Sequence, residues 1–175
     1  MATSREFDDV QVELQVGDIT EQADLDAVVN AANAELTIGG GVAGAIHRAA
    51  GAGLDEECRP LAPIRPGQAV ITSGHELPNR HVIHVLGPVY GRDEPSAELL
   101  TNCYQQALRV ADQHELVSVG FPAVSTGAFG YPLGEAAMVA LEAIRTVAAD
   151  LESVRTVRFV LADETALEVH ERALG

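Results

Sequence analysis

From Val10 to Val16 apolar and polar residues alternate, the period of a strand with one buried face. Gly17-Asp18-Ile19-Thr20 ends it. Ala27 to Asn33 is a nearly unbroken apolar run closing on asparagine, the pattern of a strand buried on both faces. Val42 to Ala50 reads as a short helix and Leu54 to Arg59 as a further turn or helix. The loop from Pro60 to Gly67 carries three prolines. Gln68 to Ser73 and His81 to Leu86 read as successive strands joined by a turn at Glu76 to Arg80. Ser96 is the expected cap of a long helix, Ala97 to His114, with Glu98 in its first turn. A strand over Leu116 to Val124 is interrupted by Gly120 and Pro122. Leu133 to Leu151 is a second long helix, Thr156 to Leu161 a strand, and Thr165 to Leu174 the closing helix.

Strands alternate with helices along most of the chain, which predicts a three-layer α/β sandwich. The tandem strands around Glu76 to Arg80 break that alternation and predict a mixed sheet. At 175 residues, 47% of them hydrophobic, the chain fits one domain, residues 1–175, with a substantial core. Aromatic residues are only 4% and tryptophan is absent, so Val, Leu, Ile and Ala must fill that core. No apolar run approaches the length of about 18 residues that a membrane span requires. The polar, acidic start from Met1 to Asp9 lacks the apolar segment of a signal peptide, so the expectation is a cytoplasmic protein.

Net charge is −15, and every basic residue is arginine. Such a surface repels a polyanion and argues against nucleic acid as a partner. The absence of lysine excludes a lysine nucleophile and a Walker A loop. Cys58 and Cys103 are far apart, with no histidine at ligand spacing, so they read as small buried thiols rather than zinc ligands.

The most informative pattern is a pair of glycine-rich segments, each between a strand and a helix. Gly39-Gly40-Gly41-Val42-Ala43-Gly44 follows the strand ending near Asn33, and Ser125-Thr126-Gly127-Ala128-Phe129-Gly130 follows the strand ending near Val124. Such loops let backbone N–H groups approach an anion, and a following helix N-terminus adds positive partial charge. One suggests a phosphate; two suggest a diphosphate held from both sides. Gly39, Gly41 and Gly44 formally match G-x-G-x-x-G. Five residues separate them from Asn33, however, and no second strand ends at an acidic residue at the spacing that a dinucleotide fold requires.

Asn30 and Asn33 lie three apart at the end of an apolar strand, so they share a face only if the strand ends first. Position favours a ligand contact for Asn33 and a structural role for Asn30. Asp18 is suited equally to capping the turn that follows it and to accepting from an exocyclic amine of a base. His47 and His84 lack an evident Asp or Ser partner and read as structural. No G-x-S-x-G segment occurs.

Taken together, DAVVNAAN (Asp26 to Asn33), GGGVAGAIHRAAG (Gly39 to Gly51), GQAVITSG (Gly67 to Gly74), VIHVLGPVY (Val82 to Tyr90) and FPAVSTGAFGYP (Phe121 to Pro132) resemble the macro domain family of ADP-ribose-binding modules. Gly17 to Thr20, Glu57-Cys58 and Cys103-Tyr104 extend the match. The segments GAIHRAAG and VIH-x-x-GPVY look most like its MacroD-type branch.

The resemblance implies a three-layer α/β/α fold around a mixed sheet of about six strands. It implies that Asp18, beside Ile19, takes the adenine amine and that Asn33 holds the distal ribose. Gly40, Gly41 and Val42 would cradle the diphosphate together with Ser125, Thr126, Gly127, Ala128, Phe129 and Gly130, with Phe129 packing under the distal ribose. Asn33 and Gly41 are the catalytic candidates. Two positions depart from the family pattern: Ala43 stands where hydrolases usually carry Asp, and Ala162 where an aromatic usually stacks on adenine.

The implied function is a hydrolase that removes mono-ADP-ribose from acidic side chains or deacetylates O-acetyl-ADP-ribose, using no metal and no cofactor. The alternative is a non-catalytic ADP-ribose-binding module; an RNA-related regulatory module is opposed by the charge. The expected partner is ADP-ribose or an ADP-ribosylated protein, without membrane or nucleic acid, and the expected state is a monomer.

Overall fold

The computed structural model describes residues 3–175. Seven strands form one sheet in the order β1-β2-β7-β6-β3-β5-β4. They are β1 Ser4–Phe7, β2 Val10–Val16, β3 Ala27–Ala31, β4 Ala69–Ser73, β5 His81–Val85, β6 Ser118–Phe121 and β7 Thr156–Leu161. The five inner strands are parallel, and the two edges, β1 and β4, run antiparallel to their neighbours. The sheet is therefore mixed, as the tandem strands predict. The strand beyond the expected six is β1, whose Ser4, Arg5 and Glu6 are exposed, with only Phe7 buried. An edge strand with one apolar residue leaves no periodicity to read.

Helices α1 (Gly41–Ala50) and α2 (Ala52–Cys58) cover one face, and α3 (Ser96–Gln113), α4 (Leu133–Ala148) and α5 (Glu164–Leu174) cover the other. Alternation along the strands separates two cores. On β2, Val10, Val12 and Leu14 join the α3–α5 core, whereas on β3, Ala27 and Val29 face that core and Val28 faces α1 and α2. Burial on both faces explains the unbroken apolar run of β3.

Several boundaries differ from the expected ones for local reasons. β6 stops at Phe121 because Pro122 has no N–H to continue the ladder. Ser96 is the first residue of α3 rather than its cap; Pro95 precedes the helix, and Glu94 accepts from the Ser96 N–H at 3.2 Å. α5 begins one residue early because the Asp163 carboxylate caps it, accepting from the Ala166 N–H at 2.8 Å.

Candidate functional site

The two glycine segments leave neighbouring parallel strands in opposite directions. β3 leads to α1 on one face of the sheet, and β6 leads to α4 on the other. A crevice must open between such strands at their carboxyl ends, the place where open α/β sheets bind ligands. A cleft of about 980 Å³ lies there. It extends from Gly17, Asp18 and Ile19 after β2, past Val160 on β7, Ala162 just beyond it and the segment after β6, to Ala31–Asn33 at the end of β3 and Gly87 after β5.

Loop 1, residues 34–40, ends in the uncapped N-terminus of α1: Gly40 occupies the cap position and offers no side chain. The first N–H groups of any helix lack an intrahelical acceptor. Among the described residues, the N–H groups of Gly39 and Gly40 also make no backbone bond, and neither do those of Gly127, Ala128 and Phe129 in loop 2, residues 122–132. Two sets of unpaired backbone donors thus border one cleft.

The glycines separate into two kinds. Gly41, at φ +56°, and Gly130, at φ +74°, occupy the left-handed region that side chains disfavour. Gly40 and Gly127 have ordinary φ values, and a Cβ at either would meet nothing within 4 Å. Packing and backbone strain do not require glycine there; unobstructed access from the cleft is what its absent side chain provides.

Eleven of the twelve predicted site positions border the cleft: Asp18, Ile19, Asn33, Gly40, Gly41, Val42, Ser125, Thr126, Gly127, Ala128 and Phe129. Gly130 does not. Its N–H donates to the Gly127 carbonyl at 3.0 Å, so it closes the turn that presents loop 2. Ser125 is held at φ +68°, with its hydroxyl donating to the Pro88 carbonyl at 2.8 Å. That contact ties loop 2 to the segment after β5. Ala43 and Ala162 both line the cleft.

The spacing of Asn30 and Asn33 resolves because β3 ends at Ala31. Asn33 reaches the cleft, and its Oδ1 accepts from the Thr37 N–H at 3.0 Å while its amide donates to the Thr37 carbonyl at 3.0 Å, bracing loop 1. Asn30 is fully buried and points away from solvent. Asp18 caps the turn that follows it: its Oδ1 accepts from the Thr20 N–H at 2.9 Å and the Thr20 hydroxyl at 2.6 Å. These two bonds hold its carboxyl below the usual range. They leave Oδ2 without a hydrogen bond among the described residues, on an exposed residue that lines the cleft.

His84 lies outside the cleft in a buried polar chain beneath α1 and α2. Asn30 Nδ2 donates to His84 Nδ1 at 3.1 Å, which places the ring proton on Nε2. That Nε2–H donates to the Thr72 hydroxyl at 3.0 Å, and the hydroxyl in turn donates to the Ser73 carbonyl. Burial pushes the His84 pKa down to about 3. His47 is buried as well, but its Nε2 has no partner among the described residues. Cys58 and Cys103 are free and buried, and desolvation raises both thiols, to about 11 and about 12.

Sequence reasoning missed Gly87, Leu133, Thr165 and Ala166, all of which line the cleft. A Cβ on Gly87 would strike Ser125 Oγ and lie 2.7 Å from Val124 Cγ1, so its glycine allows loop 2 to approach β5. The only available signal was a Gly-Pro pair after a strand. Thr165 and Ala166 carry no polar pattern and enter only because Asp163 turns the chain there.

Among the residues lining the cleft there is no arginine, lysine or histidine, and the two carboxylates, Asp18 and Asp163, lie at the β2–β7 end. An anion at the glycine loops would therefore be held by neutral backbone donors.

The macro domain family model matches residues 29–140. A macro domain-containing protein of Chlorobaculum tepidum is 44% identical over 169 residues, covering 96% of this chain and 98% of the relative. One from Ralstonia nicotianae is 47% identical over 159 residues, covering 90% and 91%. Among solved structures, the Oceanobacillus iheyensis macrodomain with ADP superposes with a TM-score of 0.93 at 37% identity, covering 98% of this chain and 93% of that one. The Trypanosoma brucei macrodomain in complex with ADP-ribose gives 0.87 at 38% identity, covering 94% and 69%. The family model spans both glycine loops and most of the sheet between them, and the similarity extends over nearly the whole chain, so this protein belongs to the macro domain family.

Proposed function

We propose that the chain binds ADP-ribose in this cleft and, as an enzyme of the MacroD type, hydrolyses mono-ADP-ribose esters of acidic side chains or deacetylates O-acetyl-ADP-ribose. The carrying observation is the pair of unpaired backbone donor sets on loops 1 and 2, bordering one cleft beside Gly40 and Gly127, which have no packing reason to be glycine. Two such cradles suit a diphosphate, and the related structures with ADP and ADP-ribose support that choice.

In this reading Asp18 and Ile19 face the base, and Asn33 beside Gly41 orients the distal ribose. Ser125, Thr126, Gly127 and Ala128 close over the diphosphate with Phe129 against the sugar, while Gly130 shapes the turn. For an ester at the anomeric carbon, water attacks that carbon, the bond to the carboxylate oxygen breaks, and a diphosphate oxygen takes the water proton. Asn33 and the Gly41 backbone supply orientation and charge stabilisation.

One observation favours the second reading, a non-catalytic ADP-ribose-binding module: Ala43 leaves the loop 1 end of the cleft without a carboxylate to activate water. Single-turnover release of ADP-ribose from a glutamate-linked substrate, measured beside binding, separates the two. Slow turnover by the natural protein, increased by roughly 10²–10⁴-fold in Ala43→Asp, supports the enzyme. Tight binding with no turnover at high enzyme excess assigns the chain to the binding modules.

A further inference from the structure

A pair of histidines lies at the opposite end of the sheet from the cleft. His81 opens β5, whose carboxyl end leads to the cleft at Gly87, and His114 caps the C-terminus of α3. Their rings meet with centroids 5.9 Å apart and planes at 60°. Neither residue lines the cleft, and neither takes part in the proposed function.

Both rings are held in the same way. His81 Nδ1–H donates to the Thr72 carbonyl at 3.1 Å, and His114 Nδ1–H donates to the Val110 carbonyl at 2.9 Å. A carbonyl only accepts, so each Nδ1 carries a proton and each neutral ring keeps its lone pair on Nε2. Neither Nε2 has a hydrogen-bond partner among the described residues. Bonding one ring nitrogen to a main-chain carbonyl fixes tautomer and orientation, which is how histidine metal ligands are prepared. On one tetrahedral ion with bonds of about 2.0–2.1 Å, two imidazole centres stand roughly 5 Å apart, so this pair needs to close by less than about 1 Å.

The surroundings favour a cation. His114 ends an 18-residue helix, where the last carbonyls concentrate negative partial charge. The Asp26 carboxylate accepts from the Val117 and Ser118 N–H groups through Oδ2, a few residues beyond His114, and the Asp26 carbonyl accepts from the His81 N–H at 3.3 Å. Exposed Arg80, beside His81 in the chain, is the opposing charge. Among the described residues no third histidine, cysteine, aspartate or glutamate completes a ligand set, so water must fill the remaining positions.

The geometry points to a two-histidine site, His81 and His114, for a divalent transition-metal ion of the imidazole-preferring class, such as Zn²⁺. The ion would join the end of α3 to the β4–β5 edge of the sheet and stabilise the folded chain by mass action.

The test is calorimetry of Zn²⁺ with the untagged, chelator-treated protein. One ion per chain should bind, and His81→Gln and His114→Gln should each weaken it at least about tenfold. A glutamine amide can still donate to the Thr72 or Val110 carbonyl, and thermal melting without metal checks that each variant is folded. A second measurement needs no variant: substoichiometric Cu²⁺ should broaden the ring NMR signals of His81 and His114 before those of the other four histidines. No Zn²⁺ binding overturns the proposal, and so does binding that survives both substitutions. Broadening centred instead on His75, whose Nε2 lies 2.7 Å from Glu57, would equally overturn it.

Discussion

Acidification should destabilise this protein through His84. The ring is fully buried and bonded through both nitrogens, Nδ1 accepting from Asn30 and Nε2–H donating to Thr72. Burial lowers its pKa from 6.5 to about 3, with the nearby His47 adding to the shift. The unfolded chain takes up this proton near the ordinary value; the folded chain does not until far lower. Between those pH values the unfolded state binds more protons, so stability falls as pH falls. The contribution is intact above about pH 6.5, declines through the window down to about pH 3, and is constant below it. At about pH 5 the lag is roughly 1.5 pH units, or about 2 kcal/mol at 1.36 kcal/mol per unit. That is a substantial part of the roughly 5–15 kcal/mol of a typical domain. For a chain of this length it corresponds to a melting-temperature drop of roughly 4–8 °C. Burial also lowers the His47 and His170 pKa values, so the natural protein should lose more than His84 alone explains. The assay is therefore differential: urea unfolding at about pH 7 and about pH 5 for the natural chain and for His84→Gln, which can accept and donate without titrating. The variant should be less stable at about pH 7 but should lose about 2 kcal/mol less on acidification. Equal losses in the two proteins would refute the claim that the buried neutral imidazole carries the effect.

ADP-ribose should bind one-to-one and more tightly than AMP by calorimetry, because AMP engages only one of two cradles; equal affinities would remove the two-cradle argument. Gly40→Ala and Gly127→Ala should melt within about 2 °C of the natural protein, since neither new Cβ meets a neighbour, yet bind ADP-ribose at least about tenfold more weakly because each methyl stands between donors and ligand. Arg158 bonds Glu13 at 2.9 Å and Asp24 at 2.8 Å from a largely buried position, but both carboxylates remain in reach of water, so Arg158→Met should cost only about 1 kcal/mol in urea unfolding; an unchanged midpoint would show the pairs to be of no net worth.

The inner sheet was legible because its residues obey the period of their environment. Val10, Val12 and Leu14 alternate beside half-exposed Gln11 and Glu13, and β3 is continuously apolar because both its faces are covered. What escaped was set by contacts distant in the chain. Polar β1 is a strand because β2 pairs with it, and Arg5 closes that edge by donating to the Leu174 carbonyl at 2.7 Å. Ser96 has the chemistry of a cap, but Pro95 takes that position. At the site, glycine repetition revealed both loops but not the different roles within them, for Gly130 turns the chain whereas Gly127 faces open space. The Asn30–His84–Thr72 chain joins three strands, and no spacing in the sequence announces that these residues meet.

The proposed binding of a diphosphate by so acidic a protein presents an electrostatic conflict, and the location of the charges resolves it. The net charge of −15 acts over distances that salt screens within about 8 Å at physiological ionic strength. Inside the cleft, the interactions available to phosphate oxygens are short ones with backbone N–H groups and with the dipole of α1 at its uncapped end. Such donors carry no formal charge, so their strength depends on approach and direction. A mobile arginine can follow a displaced phosphate; a backbone amide cannot. This explains why the cleft combines unobstructed glycines with firm anchors: Asn33 bonded to Thr37 across loop 1, and Ser125 bonded to Pro88 beneath loop 2. Preorganised neutral donors can thus provide the local attraction that the acidic surface lacks, and on the proposed function the geometry of the two loops is what would select paired phosphates.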